Sequence, residues 1–374
     1  MPPCDTMCGS PRSLPRQVLI VGIVAVGAMA SLVFAGETRD LYRQAIETLA
    51  DTLATRFVDP ATGERYAQML RSNLATGKYE YVVDPKSMAQ RLTQDLQGVA
   101  RDGHLRVDLA PDADAAEPGG PRRLDGPPPK GTRHGGALPL RGAAPGKQRG
   151  STLAPLDLPS VAETKWIADG VAYIRFNQFA GEPASMAAIH AFVKDYATAK
   201  AIVIDTRTLS RGGGLAEMDA LFPYLFDRET VLVDMAVAKS EDGPGPMAGP
   251  TLREVPGPAN MLVHEHVAIP DATEHRLMKV KVFYLTSKRT RSAGEHFALA
   301  LKRTHRGTLI GERTAGANHF GGIEPIGAGL AAFVPIGRTY DPDTGKDWEG
   351  SGIVPDIEVP AEQALDKALA LAKG

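Results

Sequence analysis

Cysteine is almost missing from this chain of 374 residues, and its two cysteines, Cys4 and Cys8, both precede a long apolar run. Everything after that run therefore lacks an internal disulfide framework, a cysteine nucleophile and a thiolate metal site. Excess charge is missing too. The 42 Lys and Arg face 44 Asp and Glu, a net charge of −2 at pH 7, so no basic field points to nucleic acid. What remains is a chain with 43% hydrophobic residues, ordinary for a globular protein with a real core.

Residues 1–35 stand apart. Arg12 and Arg16 precede the uncharged run "VLIVGIVAVGAMASLVFA", and small residues sit near its end, with Val33 and Ala35 before Gly36. A basic start, an apolar middle and a small-residue cleavage site describe a signal peptide. The same run approaches the length of an uncleaved single-span anchor, so both forms stay open. Either way the rest of the chain is expected to be exported, periplasmic or secreted, and to touch a membrane only through this segment.

Residues 36–110 read as a helical subdomain. "LYRQAIETLADTLATRF", "GERYAQMLRSNLATGKY" and "DPKSMAQRLTQDLQGVARDG" repeat apolar positions at three- and four-residue spacing, and "HLRVDLA" then alternates like a strand. From 111 to 150, Pro and Gly supply seventeen of forty positions, with almost no large apolar side chain. Such a stretch buries too little surface to offset its ordering entropy, so 111–158 is expected to be a flexible linker, with His134 a solvated residue inside it. Residues 159–374 alternate strands ("GVAYIRFNQF", "KAIVIDTR", "KVFYLTSK", "GTLIGE") with helical runs, then end in a hairpin, a closing strand and a terminal helix. That order predicts an α/β core with a mostly parallel sheet.

Four stretches could carry chemistry. "IDTRTLSRGGG" places Gly212–Gly214 between a buried strand and a helix, where free amides could hold a negative oxygen or simply make a tight turn. No Lys-Ser/Thr pair follows, so it is not a phosphate loop. In "TRSAGEHF", Ser292 and Glu295 have capping-box spacing, yet a serine on a strand-to-helix turn is also where hydrolases hold a nucleophile. "RDGHLRVDL" places His104 between the helices and a strand, and "DWEGSGIVPDIEV" sets Glu349 and Asp356 near a Gly-rich turn. The "HEH" at 264–266 suggests a metal, but it falls in what reads as a polar, Pro-rich loop, 240–278. It also lacks helical spacing and a third ligand, so no metal and no cofactor is expected.

Singly these signals are weak. In chain order, however, "DPKSMAQRLTQDLQGVARDGHLRV", "IVIDTRTLSRGGG", "KVFYLTSKRTRSAGEHFALALK", "GTLIGERTAGA" and "WEGSGIVPDIEVP" resemble the tail-specific protease family, the C-terminal processing peptidases. The nearer likeness is to the branch without a PDZ domain, which includes the repeats of interphotoreceptor retinoid-binding protein and the tricorn protease core. The resemblance covers roughly residues 37–110 and 160–370. It implies a small helical bundle before a core related to crotonase and ClpP, and a serine peptidase acting on peptides or unfolded protein.

By position, the resemblance makes Ser292 the nucleophile. Ala293 and either Gly213 or Gly214 would supply the oxyanion-hole amides. Losing one such donor costs about 3–4 kcal/mol of transition-state stabilisation. The lysine base of one branch would fall at Ala317, which leaves His104 as the implied base and Glu349 as the acid implied to help orient it. Gly103 departs from tricorn, which has a serine there. The alternative is a non-catalytic ligand- or peptide-binding module on the same fold. An acyl-CoA enzyme is disfavoured by export and by the lack of a basic nucleotide cradle.

Overall fold

The computed structural model describes residues 17–110, 158–209, 211–239, 247 and 249–373, with the side chains of 17–35 excepted. The expected signal segment, Cys4, Cys8, His134 and all of 111–157 thus lie outside the residues whose side chains are described. Among the described residues no helix is long and apolar enough to cross a membrane.

Three helices open the fold: α1 (Gln17–Arg56), α2 (Pro60–Ala75) and α3 (Pro85–Val99). The starts of α2 and α3 follow from Asp-Pro pairs. The Asp59 side chain accepts the Thr62 amide at 2.7 Å, and Asp84 accepts that of Ser87 at 2.8 Å. In each case the proline occupies the first helical position, where its missing N–H costs nothing. Leu49, Leu53, Tyr66, Leu70, Leu92 and Leu96 close a core that also takes in Leu105, Val107, Leu330, Ala332 and Val334. The bundle therefore does not bury its apolar face alone. It shares its core with strands β1 (Arg106–Leu109) and β11 (Leu330–Tyr340).

A six-stranded sheet forms the centre of the core. It contains β2 (Val161–Ala168), β3 (Val171–Phe176), β4 (Ala201–Asp205), β8 (Lys281–Thr286), β9 (Thr308–Gly311) and β12 (Ile357–Glu358), in the spatial order β12-β9-β8-β4-β3-β2. All pairings are parallel except the β2–β3 hairpin. Strand β4, "AIVID", is buried at every position because both sheet faces are covered. Ile174, Ile202, Val282 and Tyr284 pack with residues of helices α4 (Pro183–Asp195), α5 (Ala216–Leu221) and α6 (Ala293–Arg303). Tyr173, Val203, Phe283 and Leu285 pack against the terminal helix α7 (Ala364–Lys373).

A second sheet, wholly antiparallel, goes beyond the expected parallel one. It joins β1, β11, β5 (Thr230–Ala238), β7 (Met261–Ala268) and β6 (Leu252–Val255) in that order, and β10 (Phe320–Gly327) pairs with β11. This corrects the reading of 240–278 as a loop, because β6 and β7 lie inside it. The "HEH" sits on β7, where His264 and His266 face inward and Glu265 pairs with Arg253. Polar residue types hid the strand, since two of its buried positions are histidines.

Candidate active site

The parallel strands β4, β8 and β9 end side by side at Asp205, Thr286 and Gly311. The loops leaving these carboxyl ends carry the glycine turn, Ser292 and Ala317, the usual place for a site on such a sheet. Side chains stitch two of the loops together. Thr290 Oγ1 donates to the Thr206 carbonyl at 3.1 Å, and Ser287 Oγ donates to that of Arg207 at 2.7 Å.

Ser292 stands just before α6 with φ 51° and ψ −120°. A residue with a Cβ rarely adopts that conformation, and holding it costs about 1–3 kcal/mol. The surroundings that impose it are visible. The Ser292 amide donates to Glu295 Oε2 at 2.9 Å and to the Ala317 carbonyl at 3.1 Å. Glu295 is fully buried and accepts three further bonds, from Thr314 Oγ1 at 2.6 Å, Gly316 N at 2.6 Å and Ala317 N at 2.9 Å. Burial pushes this carboxyl above the usual range, while its four donors favour the ionised form. Ser292 and Glu295 stand in capping-box arrangement, but of its two side-chain links the glutamate one is the formed hydrogen bond. The Glu295 amide turns to the Ser292 carbonyl at 2.8 Å, and the serine side chain makes no cap hydrogen bond.

The glycine turn lies directly against this serine. A Cβ at Gly212 would fall 2.3 Å from Ser292 Cβ and 2.6 Å from Oγ, so only glycine admits the contact. Gly213 has φ 145°, and a Cβ there would meet the Phe179 carbonyl oxygen at 1.8 Å. The two candidate amides of the turn part company here. The Gly214 N–H donates to the Phe179 carbonyl at 2.8 Å, which removes it from the expected oxyanion pair. The Gly213 amide has no partner among the described residues. Ala293 opens α6, so its N–H also lacks an intrahelical acceptor.

His104 follows Gly103, which packs so closely on Ala317 that a Cβ there would lie 3.0 Å from Ala317 Cβ. That crowding gives a physical reason for glycine where a serine was the alternative. The His104 ring stacks on Phe333 at 5.5 Å, and its Nδ1 is buried without a hydrogen-bond partner among the described residues. Burial drives the imidazole down to about 4, against the pull of Asp102, and the charges of Arg106, His319 and Arg291 push the same way as burial.

Glu349 comes to the site but engages backbone, not the His104 ring. Its Oε1 accepts the Gly103 amide at 2.7 Å, and its Oε2 accepts those of Asn318 at 2.6 Å and His319 at 2.9 Å. Burial raises this carboxyl, and the neighbouring Asp102 raises it further. Asp356 lies elsewhere, pairing with Lys302 and with the Leu309 amide.

Two residues here escaped the sequence reading, Asp102 and His319, whose Oδ2 and Nδ1 are 2.6 Å apart. An acid two positions before His104, and a histidine two positions after Ala317, were the available signals. Asp102, His319 and Glu349 are close enough to surround a cation, with ligand atoms within 4.8 Å of one another. Their oxygens are already occupied by amides and by the imidazole, so the cluster is complete as a hydrogen-bond network. Of the "HEH" histidines, His266 is engaged on both ring nitrogens, while His264 Nδ1 is buried with no hydrogen-bond partner among the described residues. His266 Nδ1 is 2.8 Å from His296 Nε2, and its Nε2 is 2.9 Å from Asp219 Oδ1, which ties α5 to α6.

The sequence model described as Peptidase family S41 matches residues 170–359, just over half of the chain. The chain belongs to peptidase family S41. A second model, the N-terminal domain of Peptidase_S41 in eukaryotic IRBP, matches residues 34–132. This is the family implied by the order of the motifs. Among solved structures, a lipoprotein from Streptococcus agalactiae is similar with TM-score 0.54 and 12% identity, over 88% of this chain and 95% of that one. Mature CPAF gives TM-score 0.53 and 13% identity, over 89% and 95%. At such identities the likeness establishes the S41 fold alone. The photosystem II D1 C-terminal processing protease shares 22% identity at TM-score 0.39 over 51% of this chain, which spans only 43% of that protein.

Proposed function

We propose that the chain is an exported serine peptidase that hydrolyses peptides or unfolded protein segments through an acyl-enzyme on Ser292. The observation that carries this reading is the Ser292 backbone. A strained φ and ψ, fixed by a buried carboxylate and the Ala317 carbonyl, leave the hydroxyl out of its cap bond and against the glycine turn, with the Gly213 and Ala293 amides unpaired among the described residues. A serine serving only as a helix cap needs neither the strain nor the four-donor clamp.

In the proposed reaction His104 takes the Ser292 proton as Oγ attacks the scissile carbonyl. The amides of Ala293 and Gly213 receive the oxyanion, aided by the positive end of α6. The protonated imidazole then gives its proton to the departing amine, and water repeats the cycle to free the acid. Glu349 holds the base from behind, through the Gly103 amide. Export rests on residues 1–35, and N-terminal sequencing of the mature protein would locate the cleavage.

The test is active-site labelling with a fluorophosphonate, alongside turnover of unfolded casein. Parent protein should be labelled at Ser292 and cut casein, Ser292→Ala should do neither, and His104→Ala should acylate far more slowly. Labelling at another serine, or casein cleavage by Ser292→Ala, would remove this mechanism.

A further inference from the structure

Asp102 is a buried carboxylate with three donors. Its Oδ1 accepts the amides of His104 and Leu105, both at 2.8 Å, and its Oδ2 meets His319 Nδ1 at 2.6 Å. Among the described residues no carboxylate accepts from Nδ1 of the base, the usual arrangement. The acid instead grips the backbone of the base-bearing loop with one oxygen and a second histidine with the other. That second ring is fixed on several sides. Phe57 packs edge-on against it at 6.2 Å, Glu349 Oε2 lies 3.9 Å from Nδ1, and the His319 amide is bonded to the same Glu349 oxygen. His319 stands two residues from Ala317, whose carbonyl holds the Ser292 amide. One bonded path therefore runs from the His104 loop through Asp102 and His319 to the backbone of the nucleophile.

We propose that His319 is a positioning residue of the acid–base machinery, holding Asp102 and through it the loop that presents His104, and setting the charge that the His104 ring feels. The proposal rests on the reading of His104 as base. Its parts have defined protonation states. Ionised Asp102 requires a proton on His319 Nδ1, which leaves Nε2 free to take a second one. Burial lowers the His319 imidazole, but its bond to Asp102 and the charges of Asp102, Glu349 and Asp347 outweigh burial and raise it. Burial lifts Asp102, but the bond to His319, the His319 charge and the amides of His104 and Leu105 together outweigh it and lower this carboxyl. In mild acid, then, a cationic His319 sits close enough to His104 to disfavour its protonation, together with Arg106 and Arg291.

The experiment is the pH dependence of single-turnover acylation by a fluorophosphonate, for parent, His319→Gln, His319→Ala and His104→Ala, with thermal unfolding alongside. Glutamine can still donate an amide N–H to Asp102 but carries no charge. His319→Gln should fold like the parent and move the acid limb of the profile to higher pH by about half a unit to one unit. His319→Ala leaves an Asp102 oxygen unpaired and should acylate about 10- to 100-fold more slowly at every pH, with glutamine restoring most of the rate.

An unmoved acid limb in His319→Gln, or a parent-like rate in His319→Ala, overturns the proposal. If His319→Ala fails to fold, the profile of the glutamine variant decides alone. The base reading fails separately, if His104→Ala acylates at the parent rate. Should His319→Ala be the inactive variant in that case, His319 is itself the base and the positioning role is wrong.

Discussion

Replacing Ser292 by glycine should make the protein more stable as it makes it inactive. At an ordinary helix cap, serine to alanine costs about 0.5–2 kcal/mol and serine to glycine a few tenths, so both variants fall below the parent. Here the hydroxyl makes no cap bond, and the residue holds φ 51° and ψ −120°. That strain is about 1–3 kcal/mol, which glycine relieves and alanine keeps. Glycine gives back about 0.5–1 kcal/mol through its greater freedom in the unfolded chain. The net expectation is Ser292→Gly above the parent by about 0.5–2 kcal/mol, with Ser292→Ala close to it. Urea denaturation followed by far-UV circular dichroism measures both differences at a constant slope. A glycine variant at or below the parent, with alanine lower still, would mean that the serine is a cap. The account of a strained nucleophile would then be wrong.

Other expectations are as direct. Glu295→Gln keeps the shape but turns a donor toward donors, so at least two of four bonds fail; the loss should be about 3–6 kcal/mol in urea denaturation, and under 1 kcal/mol would contradict the clamp. Gly212→Ala should fold yet resist fluorophosphonate labelling, because the new Cβ lands 2.3 Å from Ser292 Cβ and pushes the hydroxyl aside. Stability should also fall in mild acid. His104 takes its proton near 6.5 when unfolded but only near 4 when folded, so the unfolded chain binds the proton first and at most about 3 kcal/mol is lost between those values. His104→Gln should flatten that slope, whereas His319, raised in the fold, acts in the opposite sense and loses its contribution as pH climbs through its own value.

Legibility followed the kind of signal each residue leaves. The parallel strands announced themselves as continuous apolar runs, and the helices before them as apolar positions at three- and four-residue spacing. Strand β7 did not, since its inward positions include His264 and His266, and the partners of His266 lie far away in sequence. Ser292 and the glycine turn were legible because strand, turn and helix are local. Which glycine amide is free was not, because Phe179 decides it by pairing with Gly214 across a bridge from another loop. Asp102 and His319 lie 217 positions apart, and only the fold brings the two into one hydrogen bond.

That bond also separates the two histidines by their protons. To act as base, His104 must carry its proton on Nδ1 and keep Nε2 open, yet Nδ1 is buried and no described residue accepts from it. A buried N–H without an acceptor costs about 1–3 kcal/mol, so the resting ring should hold its proton on Nε2. Reaching the reactive tautomer then takes part of the barrier, unless substrate supplies an acceptor. His319 is the reverse case, with Asp102 fixing the proton on Nδ1. Nitrogen-15 NMR of the imidazoles near neutral pH reads this directly, with the two signals assigned through His104→Gln and His319→Gln. His319 should appear with its proton on Nδ1 and His104 with its proton on Nε2. If His104 instead rests as the Nδ1–H form, an unseen acceptor already orients it, and the division of labour between Asp102 and the two rings must be redrawn.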